Sequence, residues 1–301
     1  MTTAPSAIPP VSRVRTYASF VRFEHTLFSL PLILAGVFSV PGPALPGLRW
    51  LWIALAAVGA RTAGMSLNRL IDRRMDALNP RTKVRELPSG KMKTAEAVAL
   101  LVGSAIAYLG ACSALGPWFL KVAIVPLAVF TLYPYLKRFT PFCHFGVGLA
   151  LSLAPLAGYA AAHPGLEHPG PALWLGFFAL AWVSGFDIIY ATLDEEFDRS
   201  HGIHSMVAWL GRVRALRVSW LLHLSAAFAL ARVALATMAH TTTSLPWAIA
   251  ALALYCGTLV LLWLEQRWAE DVNLAFFRIN VWVGAAVLAI VLAARMAAGG
   301  F

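Results

Sequence analysis

Asn68, Asp72 and Asp76 stand four residues apart where a strongly apolar segment, opening LWIALAAVGA, comes to its end. Residues i and i+4 share a helix face about one turn apart, so the three form one polar stripe. Asp194 and Asp198 repeat the spacing further along the chain. Asp187 joins their stripe, because offsets of 7 and 11 return to nearly the same helical angle. One Asp at the centre of a membrane span costs about 2.5–3.5 kcal/mol on insertion scales. The cost is smaller near the interface, but several acids together also repel one another, so two facing clusters need a cation between them. Every donor in the stripes is an oxygen, from a carboxylate or from the Asn68 side-chain carbonyl. That set suits Mg2+, which uses one or two carboxylates, keeps waters and takes further ligands from substrate phosphates. Arg81 and Arg85, four apart in RTKVRELPSGK, add guanidinium forks that match phosphate oxygens. Acids, metal and arginines form a constellation for a diphosphate. At the mouth of an apolar helical cavity, that diphosphate belongs to a lipid.

The elements that must position these residues are membrane helices. The chain has 301 residues, of which 59% are hydrophobic and only 13% charged, and its mean hydropathy is +0.71. A soluble domain is nearer one-quarter charged. Segments of about 20 apolar residues recur nine times, near 20–40, 50–70, 94–114, 117–136, 143–163, 171–193, 214–237, 244–265 and 275–296. The stretch HPGLEHPGP at 163–171 is a turn between two of them. The net charge of +10 falls between the apolar segments. It therefore points to an anionic membrane face rather than to nucleic acid, for which so apolar a chain offers little free surface. Cys112, Cys143 and Cys256 have no paired spacing and suggest neither a disulfide framework nor a zinc site. Arg13, Arg15 and Arg22 precede the first apolar run, which is expected to be retained as a span, because only Pro41-Gly42-Pro43 follows it and no small-residue cleavage pattern.

Basic residues mark one side of the membrane. The loop after the second span carries Arg73, Arg74, Arg81, Lys83, Arg85 and Lys91, the loop after the fourth carries Lys137 and Arg138, and that after the sixth carries Arg199, Arg212, Arg214 and Arg217. The loops after the fifth and seventh have neither Lys nor Arg. By the positive-inside rule, the N-terminus, these basic loops and both acidic clusters face the cytoplasm of a bacterial inner membrane, and nine spans put the C-terminus outside. Asp72 and Asp76 are each followed by their counterparts, Asp194 and Asp198, at the same offset (194 − 72 = 198 − 76 = 122). The expectation is an all-α, polytopic single domain over 1–301. It would comprise two parallel four-helix repeats, about 20–140 and 143–265, and an extra helix at 275–296, arranged around a central cavity.

NRLIDRRMDALNPRTKVRELPSG resembles the first signature of the UbiA superfamily of membrane prenyltransferases, N-x-x-x-D-x-x-x-D followed by R-T-x-x-R-x-L-x-S-G. DIIYATLDEEFDRSHGIHS resembles the second, and YPYLKRFT, Tyr133 to Thr140, resembles a stretch of the hydroxybenzoate polyprenyltransferases. The resemblance covers the whole chain and implies roles. Asn68, Asp72 and Asp76 would hold one Mg2+, and Asp194 and Asp198 another, both gripping the diphosphate of a polyprenyl donor. Arg81 and Arg85 match diphosphate-binding arginines, and Arg61 matches an arginine near the site. Lys137 and Arg138 would lie near an aromatic carboxylate acceptor, with Arg138 as carboxylate partner. Asp187 and Tyr190 would line the cavity near the reacting carbon. The implied reaction is Mg2+-dependent prenylation of 4-hydroxybenzoate for ubiquinone biosynthesis. The sequence departs from the family's R-x-x-K-P at Arg22-Phe23-Glu24-His25-Thr26, which puts Arg22 and its neighbours at issue in acceptor binding. That departure leaves a naphthoate acceptor, of menaquinone biosynthesis, open.

Other residues read more plainly. Glu195 and Glu196 fall off the acidic stripe and belong to a solvated face. His201 and His204 have no third ligand nearby and belong to a loop. A different class, a secondary transporter, would also use intramembrane acids and a repeat, but its acids would sit near the midplane and not beside arginine-rich loops.

Overall fold

The computed structural model describes residues 13–22, 26–42, 44–238, 244–269 and 278–300, and these form helices joined by turns, with no strand among them. Helix α1 (Arg13–Phe20) and α2 (Thr26–Phe38) precede the long α3 (Gly47–Leu78). Then come α4 (Thr94–Leu115), α5 (Pro117–Val122), α6 (Ile124–Leu136), α7 (Cys143–Ala162) and α8 (Gly170–Ala191). A 3-10 turn at Thr192–Asp194 continues α8 into α9 (Glu195–Ser200). The short α10 (Met206–Leu210), α11 (Arg212–Met238), α12 (Leu245–Arg267) and α13 (Asn280–Ala297) complete the described chain.

Among the described residues, eight segments are long and apolar enough to cross a bilayer. They match the expected spans from the second onward, and α5 and α6 together make the fourth. The count of nine is not established. The expected first span, 20–40, holds the 13-residue α2, which at 1.5 Å per residue reaches only about 20 Å against a hydrocarbon core of about 30 Å. Residues 23–25, including His25, lie outside the described residues, as do 275–277 at the start of the last expected span. At the other extreme, α3 is 32 residues long, about 48 Å. It runs past the expected end at residue 70, so its acidic end projects to the membrane face. The junction between α4 and α5 needs Gly116, whose φ is 141°, a region closed to most side chains. Pro117 then opens α5 at a position where its missing N–H costs nothing.

The helices form a chain of neighbours. α3 packs on α4 and α6, α6 on α7, α7 on α8, and α8 on α11. α13 packs on α11, α12 and α2, and α2 returns to α7. α8 is the most enclosed span. Its Phe178 stacks on Trp182, which meets Phe186 edge to face, within the core shared with α11 and α13. Lipid offers no hydrophobic drive for association between spans, so close backbone approach through small residues takes its place. A methyl group added at Gly36 of α2 would sit 2.0 Å from the Pro155 carbonyl oxygen, and one at Gly158 of α7 would sit 2.1 Å from that of Ile33. On α7, one at Gly148 would lie 2.5 Å from the Leu180 carbonyl oxygen of α8. These contacts are with backbone, which cannot rotate away.

Gly158→Val therefore has to separate α2 from α7. The expected cost is about 1–3 kcal/mol, the usual range for overpacking, seen as a lower melting temperature of the detergent-solubilised protein. Gly103→Ala, whose methyl meets nothing within 4 Å, is the matched control and loses no stability.

Candidate active site

Asn68, Asp72 and Asp76 lie on one face of α3, and Asp187, Tyr190, Asp194 and Asp198 lie on α8 and its continuation. The two sets line a single polar cavity of about 210 Å3. The i, i+4 spacing places the acids, and the fold supplies their counter-charges. Lys137, at the end of α6, donates from Nζ to Asp72 Oδ2 at 2.7 Å, and Asn68 Nδ2 donates to the same oxygen at 3.2 Å. Arg85 Nη1 donates to both oxygens of Asp76, at 2.8 and 2.9 Å. Arg81 straps the two acidic segments together. Its Nε donates to Asp194 Oδ1 at 2.9 Å, its Nη2 to Asp194 Oδ2 and its Nη1 to the Tyr190 hydroxyl at 2.6 Å. Burial alone would lower the pKa of the Arg81 guanidinium, but the Asp194 carboxylate and Tyr190 outweigh it and hold the group above its ordinary value. Arg81 is thus a permanent cation at the cavity mouth.

The loop after α3 is folded to deliver these arginines. Asn79 Oδ1 accepts the Arg81 backbone N–H at 2.9 Å, while its Nδ2 donates to Asp194 Oδ1 at 2.9 Å. Thr82 Oγ1 donates to the Asp76 carbonyl at 3.0 Å. The His204 N–H donates to the Lys137 carbonyl at 2.8 Å, tying the loop after α9 to the end of α6.

One atom stands out. Asp72 is 2% exposed, and its Oδ1 is buried with no hydrogen-bond partner, although a buried carboxylate oxygen is ordinarily satisfied. Asp72 lines a cavity rich in oxygen donors, and a hard cation would satisfy the bare oxygen. Among the described residues, no three His, Cys, Asp or Glu side chains converge closely enough to chelate an ion unaided. The donor set therefore fits Mg2+ held through one or two carboxylates, with water and phosphate completing its shell. It does not fit a caged structural metal.

Not every expected site residue enters this cavity. Arg61 lines a second, apolar cavity of about 380 Å3 between α3–α6 and α7, where its Nη2 donates to the Arg22 carbonyl at 3.3 Å. Arg22, with φ of 49°, offers that carbonyl to Arg61 and is not among the residues lining the polar cavity. Arg138 turns outward, lying 4.7 Å over the Tyr135 ring and donating to the Ile71 carbonyl at 3.1 Å. An acceptor carboxylate inside the cavity would meet Lys137, Arg81 or Arg85 instead. Glu195 pairs with Arg199 at 3.0 Å and, with Glu196, lies on a separate surface depression. Tyr133 lines both cavities and so marks where they meet. Sequence reasoning missed Asn79 and His144. Asn79 stands one residue before Pro80 and reads as a turn. His144 opens an apolar helix 43 residues from its partner Asp187, and no spacing rule links them.

The family model for the UbiA prenyltransferase family matches residues 29–283. Over 207 residues, the chain is 29% identical to a 4-hydroxybenzoate octaprenyltransferase of Shewanella denitrificans, covering 67% of this chain and 69% of that protein. A polyprenyl transferase, macG, of Penicillium terrestre is 32% identical over 182 residues, covering 60% of this chain and 57% of that one. The apo structure of a UbiA homologue from Aeropyrum pernix superposes with a TM-score of 0.77 at 31% identity, covering 88% of this chain and 95% of that one. A UbiA homologue from Archaeoglobus fulgidus, solved with GPP and Mg2+, shares the fold at a TM-score of 0.67 and 19% identity, covering 91% of this chain and 99% of that one. With these matches the transporter alternative falls away, and the chain belongs to the UbiA prenyltransferase family.

Proposed function

We propose that this protein transfers a polyprenyl group from a polyprenyl diphosphate to the ring of 4-hydroxybenzoate, with Mg2+ as cofactor, at the cytoplasmic face of a bacterial inner membrane and for ubiquinone biosynthesis. The observation that carries the reading is the buried, unpartnered Asp72 Oδ1 in a cavity where Arg85 holds Asp76 and Arg81 holds Asp194. On this reading Asn68, Asp72, Asp76, Asp194 and Asp198 bind the metal. Relatives named for 4-hydroxybenzoate support the acceptor, and the A. fulgidus homologue with GPP and Mg2+ supports the donor and metal. The parallel halves at 20–140 and 143–265 are part of the same proposal, since the acids at offset 122 line one cavity.

The chemistry follows from the residues. Bound Mg2+ supplies positive charge to the leaving diphosphate. Arg81 and Arg85 present guanidinium forks to the phosphate oxygens, and their charge counts most as the allylic C–O bond loosens. Lys137, bonded to Asp72, adds a further positive charge for an anionic ligand to meet. The apolar cavity beyond Tyr133 takes the prenyl chain and keeps water from the allylic cation. The phenol ring attacks ortho to its hydroxyl, and a base in the cavity takes the ring proton. The departure at Arg22–Thr26 supports a naphthoate as the second acceptor to test.

Membranes carrying the protein, supplied with radiolabelled polyprenyl diphosphate, Mg2+ and each acceptor in turn, are expected to form labelled prenyl-hydroxybenzoate. Product confined to the naphthoate would overturn the acceptor. Chelating Mg2+, or making Asp72→Ala or Asp194→Ala, is expected to lower turnover by at least about 100-fold, the scale of losing one preorganised transition-state contact. Full turnover in both variants would refute the metal assignment. Arg81→Lys keeps the charge but loses the fork. The Michaelis constant for the diphosphate donor is expected to rise about 10-fold or more, one bidentate contact's worth of roughly 1.4 kcal/mol; an unchanged constant would remove Arg81 from donor binding.

A further inference from the structure

Three of the cavity's aspartates are neutralised by full cations. Asp72 bonds Lys137, Asp76 bonds Arg85 and Asp194 bonds Arg81. Asp187 is different. Its Oδ2 lies 2.6 Å from Nδ1 of His144, the second residue of α7. The imidazole is 3% exposed, whereas the Asp187 side chain retains 26% exposure and lines the cavity. The far side of the ring fixes its tautomer. His144 Nε2 accepts the backbone N–H of Met206 at 3.2 Å, and a backbone N–H can only donate. Nε2 therefore carries a lone pair, and the ring proton belongs on Nδ1, pointing at Asp187. Asp187 is thereby an acceptor, a carboxylate tied by one oxygen to a neutral ring.

We infer that His144 is the positioning residue that makes Asp187 the acceptor of the ring proton, with Met206 fixing the tautomer of His144. The inference rests on the aromatic prenyl transfer proposed above. A carboxylate saturated by Arg or Lys is a poor base, because the cation stabilises its charged form. One held by a neutral N–H is oriented while keeping more of its basicity. Asp187 is also in the right place. It lies seven residues before Asp194 on α8, about 10 Å further along the axis, so a diphosphate at Arg81 and Asp194 leaves the reacting carbon deeper, on the Asp187 side. Once the prenyl carbon has bonded to the ring, the ring C–H bond breaks and its electron pair restores aromaticity. The proton passes to the Asp187 oxygen that His144 does not hold. The diphosphate has by then left with the electrons of the C–O bond.

Substitution separates this role from packing. His144→Asn keeps a donor near the position of Nδ1, His144→Gln moves it away, and His144→Leu removes it. With geranyl diphosphate, Mg2+ and either 4-hydroxybenzoate or its 3,5-dideuterated form, His144→Leu and His144→Gln are expected to lower kcat about 100-fold, the lower end for loss of a proton-transfer group. Their donor KM is expected to stay within about twofold, as for an interaction used only in the transition state. They should also show a larger isotope effect than wild type, since proton removal becomes rate-limiting. His144→Asn should recover to within about 10-fold of wild type. Equal losses in His144→Leu and His144→Asn with an unchanged isotope effect would overturn the inference and leave His144 as packing. A readout independent of turnover is the nitrogen NMR spectrum of histidine-labelled protein in detergent. The expected state of His144, assigned by its absence from His144→Asn, is Nδ1 protonated and Nε2 bare; a protonated Nε2 would overturn it. A wild-type protein inactive with every aromatic acceptor sinks the acceptor reading, while this spectrum still decides the tautomer.

Discussion

The structure depends on one constraint, which is that carboxylates taken from water into a membrane protein must find positive charge. An isolated buried ion costs several kcal/mol even after relaxation, and the polar cavity gathers several carboxylates in about 210 Å3. Each local solution also links elements. Arg81 holds the loop after α3 against the end of α8 through Asp194, and Lys137 holds the end of α6 against α3 through Asp72. The ion pairs therefore do two jobs. They neutralise the site, and they bring together acidic segments that lie 122 residues apart. The same arginines line the cavity, and their charge suits an anionic ligand.

The scaffold meets that constraint through length and close approach. α3 is long enough to carry its acidic end to the membrane face. α8 is wrapped by α7 and α11, so its polar end is fixed from both sides. The glycines of α2 and α7 bring backbones within reach of one another, which makes α7 a firm wall. That wall carries His144 and Val147 on the polar cavity and Ala150 and Ala154 on the apolar one. Rigidity here bears on function, because a transition-state contact misplaced by an ångström loses much of its value.

What the sequence reveals about this site follows the reach of helical periodicity. Asn68, Asp72 and Asp76 are legible because their spacing is local, and the spans from the second onward are legible because their apolar runs are long. Distant pairings are not. Nothing in the spacing joins His144 to Asp187, or Arg81 to Asp194. Direction is the other blind spot. Lys137 and Arg138 are neighbours of similar type, yet Lys137 turns into the cavity and Arg138 turns out over Tyr135. A residue at a helix end has several rotamers open to it, and the packing of α6 against α3 and α7 makes the choice. Arg61 shares the stripe of Asn68 by angle but lies seven residues earlier, about 10 Å along the axis, which puts it at the apolar cavity. The first expected span differs in another way. Its apolar run is continuous in composition, while the described helix there is only 13 residues long.

The meeting of the two cavities gives the proposed reaction its direction. On the polar side, Lys137, Arg81 and Arg85 bring full positive charge to the carboxylates. On the apolar side the lining is mostly Ala, Leu, Val and Phe. An amphiphile with a charged head and a hydrocarbon tail can bind in one sense only, since reversing it would desolvate the diphosphate among side chains unable to replace its water. Tyr133 lines both cavities, so the boundary between phosphate and chain falls close to it. The bond that breaks in a prenyl diphosphate lies at that same boundary of the molecule. The fold thus places the scissile bond through partition alone, before any contact is made to the reacting carbon. On the proposed reading, the Asp187 carboxylate, seven residues before Asp194 and tied to the His144 ring, lies on the side from which an aromatic acceptor would lose its proton.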